Sequence, residues 1–408
     1  MDLFPPCDDA AMNAREIIRP QYYDRSFCFY NTQTNRIEPD IWTHLKRGMW
    51  RDFNIDAYLD NERQYASLVE HKDQIRNQLM FPHYAIIEPG HTWNHEKQDT
   101  EIEYTPIALK EGCSRDTLMI AVEEYFSRFE GERLGVHLSG GLDSSIIMAW
   151  LRELGIPFVA IGFKSNRWEF RTERRVQEAM AEYASHAELI DIDEHPFYSH
   201  IEGCPKCQTP YGVAFKDFDI SRAIVGRFKE LGVTTVFSGQ GGDSLFVKPV
   251  RKGFPLSLAI GDEFEVSGEN DLYYAPAGMR LLVPYSDMNI IQQIASLRIG
   301  EQEDVSKWWA RSYFRDILPR ELSQYRYVAD MFGLSQSGLE MAKPNTKRLF
   351  DEANELTGNR NFTPAETERF LECNVFEMEF KSYVDYCARL SVAAWLHALF
   401  RNDEKNVI

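Results

Sequence analysis

The run Leu134-Gly135-Val136-His137-Leu138-Ser139-Gly140-Gly141-Leu142-Asp143-Ser144-Ser145-Ile146-Ile147-Met148-Ala149-Trp150-Leu151 decides how this chain folds. Its first five residues read as a short buried strand, and Ile146 to Leu151 as an apolar helix that Gly155 and Pro157 end. Gly140 and Gly141 between them let the backbone take positive φ and approach a ligand with no Cβ in the way. A helix starting near Ser145 presents unpaired N–H groups and the positive end of its dipole, which favours an anion. Ser139, Ser144 and Ser145 add hydroxyl donors. Asp143 is out of place among phosphate donors unless it binds a cation, and Mg²⁺ prefers carboxylates shared with phosphate oxygens. The loop therefore reads as a phosphate cradle with a built-in metal ligand. It is no Walker loop, because the Gly-x4-Gly-Lys-Ser/Thr spacing and its lysine are absent.

The flanks extend the pattern. Upstream, Ser114 reads as the N-cap of a helix with Leu118, Val122, Tyr125, Phe126 and Phe129 at helical spacing, closed by Gly131. Downstream, 158–163 reads as a buried strand, 172–184 as a helix, 189–192 as a strand, 219–231 as a helix and 234–237 as a fourth strand. A second glycine loop follows at once, Ser238-Gly239-Gln240-Gly241-Gly242-Asp243-Ser244-Leu245-Phe246. Strands and helices in alternation imply a parallel sheet covered on both faces, with ligands at the carboxyl ends of its strands. Both loops then lie on that edge, and Asp143 and Asp243 form a candidate metal pair. From about 275 onward the chain reads as mainly helical. The expected fold class is α/β: a parallel-sheet nucleotide-binding domain with a C-terminal helical extension over 109–408. A small α+β domain over 1–108 precedes it, with strands at 26–30 and 84–87, a turn at 31–36 and a loose helical pattern at 61–80.

Composition narrows the function. The 408 residues carry 45 Lys and Arg against 63 Asp and Glu, a net charge of −18. Nucleic-acid affinity is mostly phosphate neutralisation by basic side chains, so that partner is disfavoured. An apolar fraction of 44% excludes wholesale disorder. Seven cysteines are too few for a disulfide scaffold in a chain this long. Nowhere do about 18 apolar residues follow one another, and residues 1–6 show no basic segment before an apolar run. The expectation is a cytoplasmic protein with no membrane partner.

Ser-Gly-Gly-x-Asp-Ser at 139–144 resembles the pyrophosphate loop of the ATP pyrophosphatase superfamily. Three further motifs narrow the resemblance to the synthetase domain of the asparagine synthetase-like family, which includes β-lactam synthetases and lasso-peptide cyclases. The second glycine loop is similar to that family's Ser-Gly-Glu-Gly-x-Asp-Glu-x-Phe, Val283-Pro284-Tyr285-Ser286-Asp287 to its Val-Pro-Phe-x-Asp, and Leu318-Pro319-Arg320-Glu321-Leu322 to its Leu-Pro-x-Glu-Ile. The resemblance covers roughly 115–400. It implies an adenine nucleotide alpha-hydrolase-like fold and the cofactors ATP and Mg²⁺. The implied reaction activates a carboxylate as an acyl-adenylate, which an amine then attacks. Ser139, Gly140, Gly141, Ser144, Ser145 and Gly239 would then hold phosphates, and His137, Leu138 and Phe163 would flank the adenosine. Asp143 and Asp243 would hold metal, and Gln240 would border the reacting centre. Partners would be a small-molecule or peptide carboxylate and an amine. A partner protein, a carrier-bound substrate and a homodimer are all compatible with it.

Three departures qualify the resemblance. Glutamine-dependent members expose an N-terminal Cys that unites thiol and amine; here residue 2 is Asp2, and Cys7 stands behind Pro5-Pro6. The segment 83–93 resembles the end of the glutaminase domain, so 1–108 reads as a truncated, non-hydrolytic remnant. Gln240 replaces the family's Glu, and a glutamine orients by hydrogen bonding but takes no proton at neutral pH. The family's Arg-x-Lys reads Tyr325-Arg326-Tyr327, leaving Arg326 as substitute cation, with Lys343 and Lys347 as alternatives. Two other readings stand beside this one: a tRNA-modifying thiolase using Cys204 or Cys207, and an ATP-binding partner subunit without turnover. Cys204-Pro205-Lys206-Cys207 also has zinc-knuckle spacing, with His195 and His200 as candidate further ligands, though a turn between structural cysteines fits as well.

Overall fold

The computed structural model describes residues 28–38, 84–87, 91–94, 99–102, 109–203, 216–247, 250, 269–324, 331–357 and 364–400. The helical reading of 61–80, Cys204, Cys207 and Arg326 lie outside these residues. At the N-terminal end, β1 (Cys28–Asn31), β2 (Arg36–Glu38) and β3 (Tyr84–Ile87) form an antiparallel sheet in the order β2-β1-β3. The expected turn after β1 is made by Asn31, whose side-chain oxygen accepts from the N–H groups of Gln33 and Thr34 at 3.0 and 3.1 Å. β4 (His91–Asn94) and β5 (Asp99–Ile102) pair with each other as an antiparallel hairpin.

The rest is α/β. Helix α1 (Arg115–Ser127) is capped by Ser114, whose hydroxyl accepts from Thr117 N–H while Thr117 reaches back to the cap. A parallel sheet follows, built from β6 (Leu134–His137), β7 (Phe158–Lys164), β8 (His186–Asp191), β9 (Thr235–Phe237) and β10 (Arg280–Leu282), in the order β10-β9-β6-β7-β8. Helices α2 (Leu142–Glu153), α3 (Arg171–Ala181) and α4 (Phe218–Glu230) lie in the connections between these strands. Val136, Ile161 and Val236 are fully buried, which is why β6, β7 and β9 are apolar without alternation, while the edge strand β8 is only partly buried.

The chain order gives the sheet a switch point. From β6 it winds outward through β7 to β8, then returns to place β9 on the other flank of β6. Val136 and Phe237 are opposite one another in register, so the loops leaving β6 and β9 emerge side by side. Beyond β9 come α5 (Gly242–Phe246), α6 (Met288–Leu297), α7 (Trp308–Tyr313) and α8 (Arg320–Gln324). The C-terminal part holds α9 (Met331–Thr357), α10 (Pro364–Glu372) and α11 (Phe380–Phe400). Tyr273, Tyr274, Tyr383 and Tyr386 are core residues.

Two details depart from the sequence reading. Strand β10 falls in the stretch expected to be helical. It is three residues long, too short to show a period, and exists because Leu281 pairs with Val236. Helix α2 starts at Leu142 rather than near Ser145, with Gly141 as its N-cap. Asp143 therefore sits in the first turn of the helix, where the dipole favours a carboxylate.

Candidate active site

Three segments converge on Asp143. Gly242 lies against its side chain: a Cβ there would fall 2.4 Å from Asp143 Cγ. A Cβ on Gly239 would fall 2.5 Å from the Ser144 nitrogen. The two glycines of the second loop are thus what allow it to close onto the first. Tyr285, from the third motif, is fully buried and its hydroxyl donates to the Asp143 carbonyl at 2.7 Å. The first loop is tight in itself. Gly140 takes a φ of +79°, and a Cβ there would fall 2.7 Å from Glu173 Cγ. Ser139 Oγ accepts from Gly141 N–H at 3.1 Å and shares a proton with Ser144 Oγ at 2.7 Å, while Ser145 Oγ donates to the Gly141 carbonyl at 2.7 Å. The hydroxyls are ordered by one another, and the first-turn N–H groups of α2 are left for a ligand.

The fourth contributor was not legible in the sequence. Lys307 Nζ pairs with Asp143 Oδ2 and, at 2.7 Å, with Asp243 Oδ1. Its side chain is 13% exposed and Asp143 is 18% exposed, while Asp243 is 73% exposed, so this ammonium joins a sheltered carboxylate to a solvent-facing one across the two loops. The two carboxylates hold its pKa up against the desolvation that would lower it. Burial pushes the Asp143 carboxyl up, with Asp243 adding to the rise and Lys307 and Arg311 opposing it. Lys307 is the left-handed N-cap of α7, at φ +53° and ψ +36°. A lysine there costs roughly 1–2 kcal/mol of backbone strain. Asp304 holds the turn: its Oδ1 accepts from Ser306 N–H at 2.9 Å, its Oδ2 from Trp308 N–H at 2.9 Å, and its carbonyl from Lys307 N–H at 2.9 Å. The Asp304 N–H donates to the Val247 carbonyl at 3.0 Å, just past the helix that carries Asp243.

The donor set fits Mg²⁺. Two carboxylates meet beside a phosphate-type loop, and Asp143 Oδ1 is buried with no hydrogen-bond partner. Such a cation takes one or two carboxylates and completes its shell with substrate phosphate oxygens and water. No group of three or more His, Cys, Asp or Glu able to hold a metal occurs among the described residues. His195 and His200 both direct Nδ1 at Asp219 Oδ2, at 3.0 and 3.3 Å.

On the β7 side of the first loop, Gln177 donates to the carbonyls of Leu138 and Phe163 at 3.1 and 2.8 Å, joining β6 to β7. Each carbonyl keeps a second lone pair. A cavity opens beside Leu138, lined also by Lys164, Arg174, Glu178, Ala187 and Leu189. His137 Nε2 faces the Tyr274 hydroxyl, and burial lowers its pKa to about 4. Gln240 stands in the second loop, its N–H donating to Ser238 Oγ at 3.3 Å. Lys343 is engaged elsewhere, with Glu340 at 2.8 Å and with the Cys373 carbonyl. It fastens α9 to the turn after α10 and does not join the carboxylate pair.

Residues 115–256 match the family model described as asparagine synthase, a span that contains both glycine loops. The chain therefore carries an asparagine synthase-like domain over those residues. No curated protein matches the chain. Among solved structures it is similar to an NMN synthetase from Francisella tularensis, at 11% identity and a TM-score of 0.30, covering 65% of this chain and 93% of that one. It is also similar to an NH3-dependent NAD synthetase from Campylobacter jejuni in complex with the nitrate ion, at 12% identity and a TM-score of 0.31, with the same 65% and 93% coverage.

Proposed function

With residues 115–256 an asparagine synthase-like domain, we propose that this chain is an ATP- and Mg²⁺-dependent ligase. It adenylates a carboxylate, releases pyrophosphate, and lets an amine displace AMP to form an amide, lactam or isopeptide bond. The observation that carries the reading is the closure of the second glycine loop onto Asp143 through Gly239 and Gly242. That contact sets two carboxylates beside one helix N-terminus at the switch point of the sheet.

In this reading the first-turn N–H groups of α2 and the hydroxyls of Ser139, Ser144 and Ser145 hold the β- and γ-phosphates. Gly140 and Gly141 let the backbone come close. Asp143 and Asp243 hold Mg²⁺, which neutralises charge on the leaving pyrophosphate. Leu138 and Phe163 flank the adenosine, and His137, neutral above about pH 4, supports the strand without moving a proton. Gln240 orients the reacting centre by hydrogen bonding, so the amine arrives already deprotonated or loses its proton to another group. Trp168, 80% exposed, follows the carboxyl end of β7, and Arg167 donates to the Gly333 carbonyl at 3.3 Å, beside exposed Phe332. Aromatic surface at that edge favours a bulky, partly apolar acyl substrate such as a peptide or a specialised metabolite.

The test is product analysis of ATP turnover with Mg²⁺ against a panel of carboxylates, amines and peptides. AMP and pyrophosphate formed only in the presence of one acid is the expected result. ADP and phosphate as products, or AMP formation independent of any carboxylate, would overturn the proposal. Bound ATP with no turnover under any condition would favour the partner-subunit reading.

A further inference from the structure

We propose that Arg298 is a positioning residue for Asp243, setting the short helix that carries this carboxylate against the segments it meets, and that it does so without adding to the stability of the fold. The proposal rests on the function given above and adds the residue that fixes where the second carboxylate of the site stands.

The guanidinium itself is the first argument. Arg298 is 1% exposed, and its Nε is buried with no hydrogen-bond partner. Burial lowers its pKa to about 10, with Glu301 and Asp304 opposing the fall, so it stays protonated at neutral pH. A buried charge with a donor left over is costly, and an apolar side chain of similar volume would fill the same space without that cost. What only a cationic donor adds here is a bond at one place: Arg298 Nη1 donates to the Leu245 carbonyl in α5.

The helix receiving that bond is the second argument. α5 has five residues, with Leu245 N–H on the Gly241 carbonyl at 3.2 Å and Val247 N–H on the Asp243 carbonyl at 3.0 Å. A helix this short leaves its last carbonyls to donors from outside. Arg298 serves Leu245, and the Asp304 N–H serves Val247 at 3.0 Å. The Asp243 side chain is 73% exposed, so packing does not hold it and its place follows the backbone of α5.

Convergence is the third argument. Arg298 closes α6, its N–H donating to the Ile294 carbonyl at 3.0 Å. Just before α6 stands Tyr285, whose hydroxyl holds the Asp143 carbonyl. The guanidinium lies 5.7 Å over the ring of Trp309, two residues beyond Lys307, and that ring stacks on Phe246 of α5. One side chain thus joins the segments that bear Asp243 and Lys307 to the helix that follows the Asp143 clamp.

The experiment uses the full chain and a non-hydrolysable ATP analogue with a methylene between its α- and β-phosphorus atoms, titrated by calorimetry with and without Mg²⁺ beside thermal unfolding. Arg298→Met should melt within about 3 °C of wild type, or above it. With Mg²⁺ it should lose on the order of tenfold in affinity, while its affinity without the metal stays that of wild type. Arg298→Lys keeps a charged donor for the Leu245 carbonyl and should recover most of the loss. In an Asp243→Asn background, Arg298→Met should cost nothing further. Equal magnesium-dependent affinity in wild type and Arg298→Met overturns the proposal, as does an undiminished loss in the Asp243→Asn background. An Arg298→Met chain that fails to fold or melts well below wild type also overturns it, because the arginine would then serve the fold. Failure of the wild type to bind the analogue at all instead overturns the ligase reading, so the two failures are told apart.

Discussion

Gly242 has no Cβ, and the space a Cβ would fill is occupied by the Asp143 side chain at 2.4 Å. Gly242→Ala must therefore move the Asp143 carboxylate, one of the two that the proposed function gives to Mg²⁺. We expect it to weaken nucleotide binding at least tenfold and to cost about 1–3 kcal/mol of stability, read by calorimetry and by thermal unfolding. Binding unchanged from wild type would show that the two loops do not act together. Gly162 makes a related but purely structural case. A Cβ there would lie 2.0 Å from the Leu138 carbonyl, so Gly162→Ala should destabilise through backbone displacement of the strand that feeds the first loop. At this scale the sequence is informative where a residue type is chemically out of place: a carboxylate among phosphate donors announces Asp143. Lys307 is silent for the opposite reason. A lone lysine in a polar stretch looks like solvated surface, and only a left-handed turn and a long-range contact give it a role.

Helix α3 shows how an element carries a constraint from the site. Its Gln177 fastens β6 to β7, and one turn earlier Glu173 packs beneath Gly140. Glu173 is 8% exposed, its Oε2 has no hydrogen-bond partner, and burial pushes its pKa from 4.5 to about 7. Between those values the folded chain keeps a proton that the unfolded chain has released, so stability falls as pH rises through that window and levels off above it. Glu173→Gln should remove this slope and stabilise the protein at pH 8 by about 1–3 kcal/mol, relative to little change near pH 4, in denaturant titrations at the two values. An equal effect at both pH values would contradict the assignment. The elements β6, β7 and β9 were readable to within a few residues because these strands are apolar and buried. The start of α2 was misplaced because Leu142 and Asp143 read as loop chemistry, and β10 because three residues show no period.

At the scale of the molecule, charge and topology say different things. The net charge of −18 opposes polyanions in general, while the proposed function places phosphate locally at the helix N-terminus beside Lys307. A structured RNA such as tRNA should therefore give no mobility shift at micromolar protein and physiological salt, and a retained band would favour the thiolase reading. Among the described residues no helix is long and apolar enough to cross a membrane. The switch point between β6 and β9 follows from strand order, which the alternation of elements suggests but does not determine. Sequence places two glycine loops on one edge of a sheet, and the fold makes them neighbours. The claim on which everything else depends is that Asp143 belongs to an ATP·Mg²⁺ site. Its most direct test is calorimetric titration of the ATP analogue with Mg²⁺ into wild type and Asp143→Asn, with circular dichroism as the folding control. The account predicts magnesium-dependent binding by the wild type and a loss of at least about tenfold in a folded variant; equal, magnesium-independent affinity in both would contradict it.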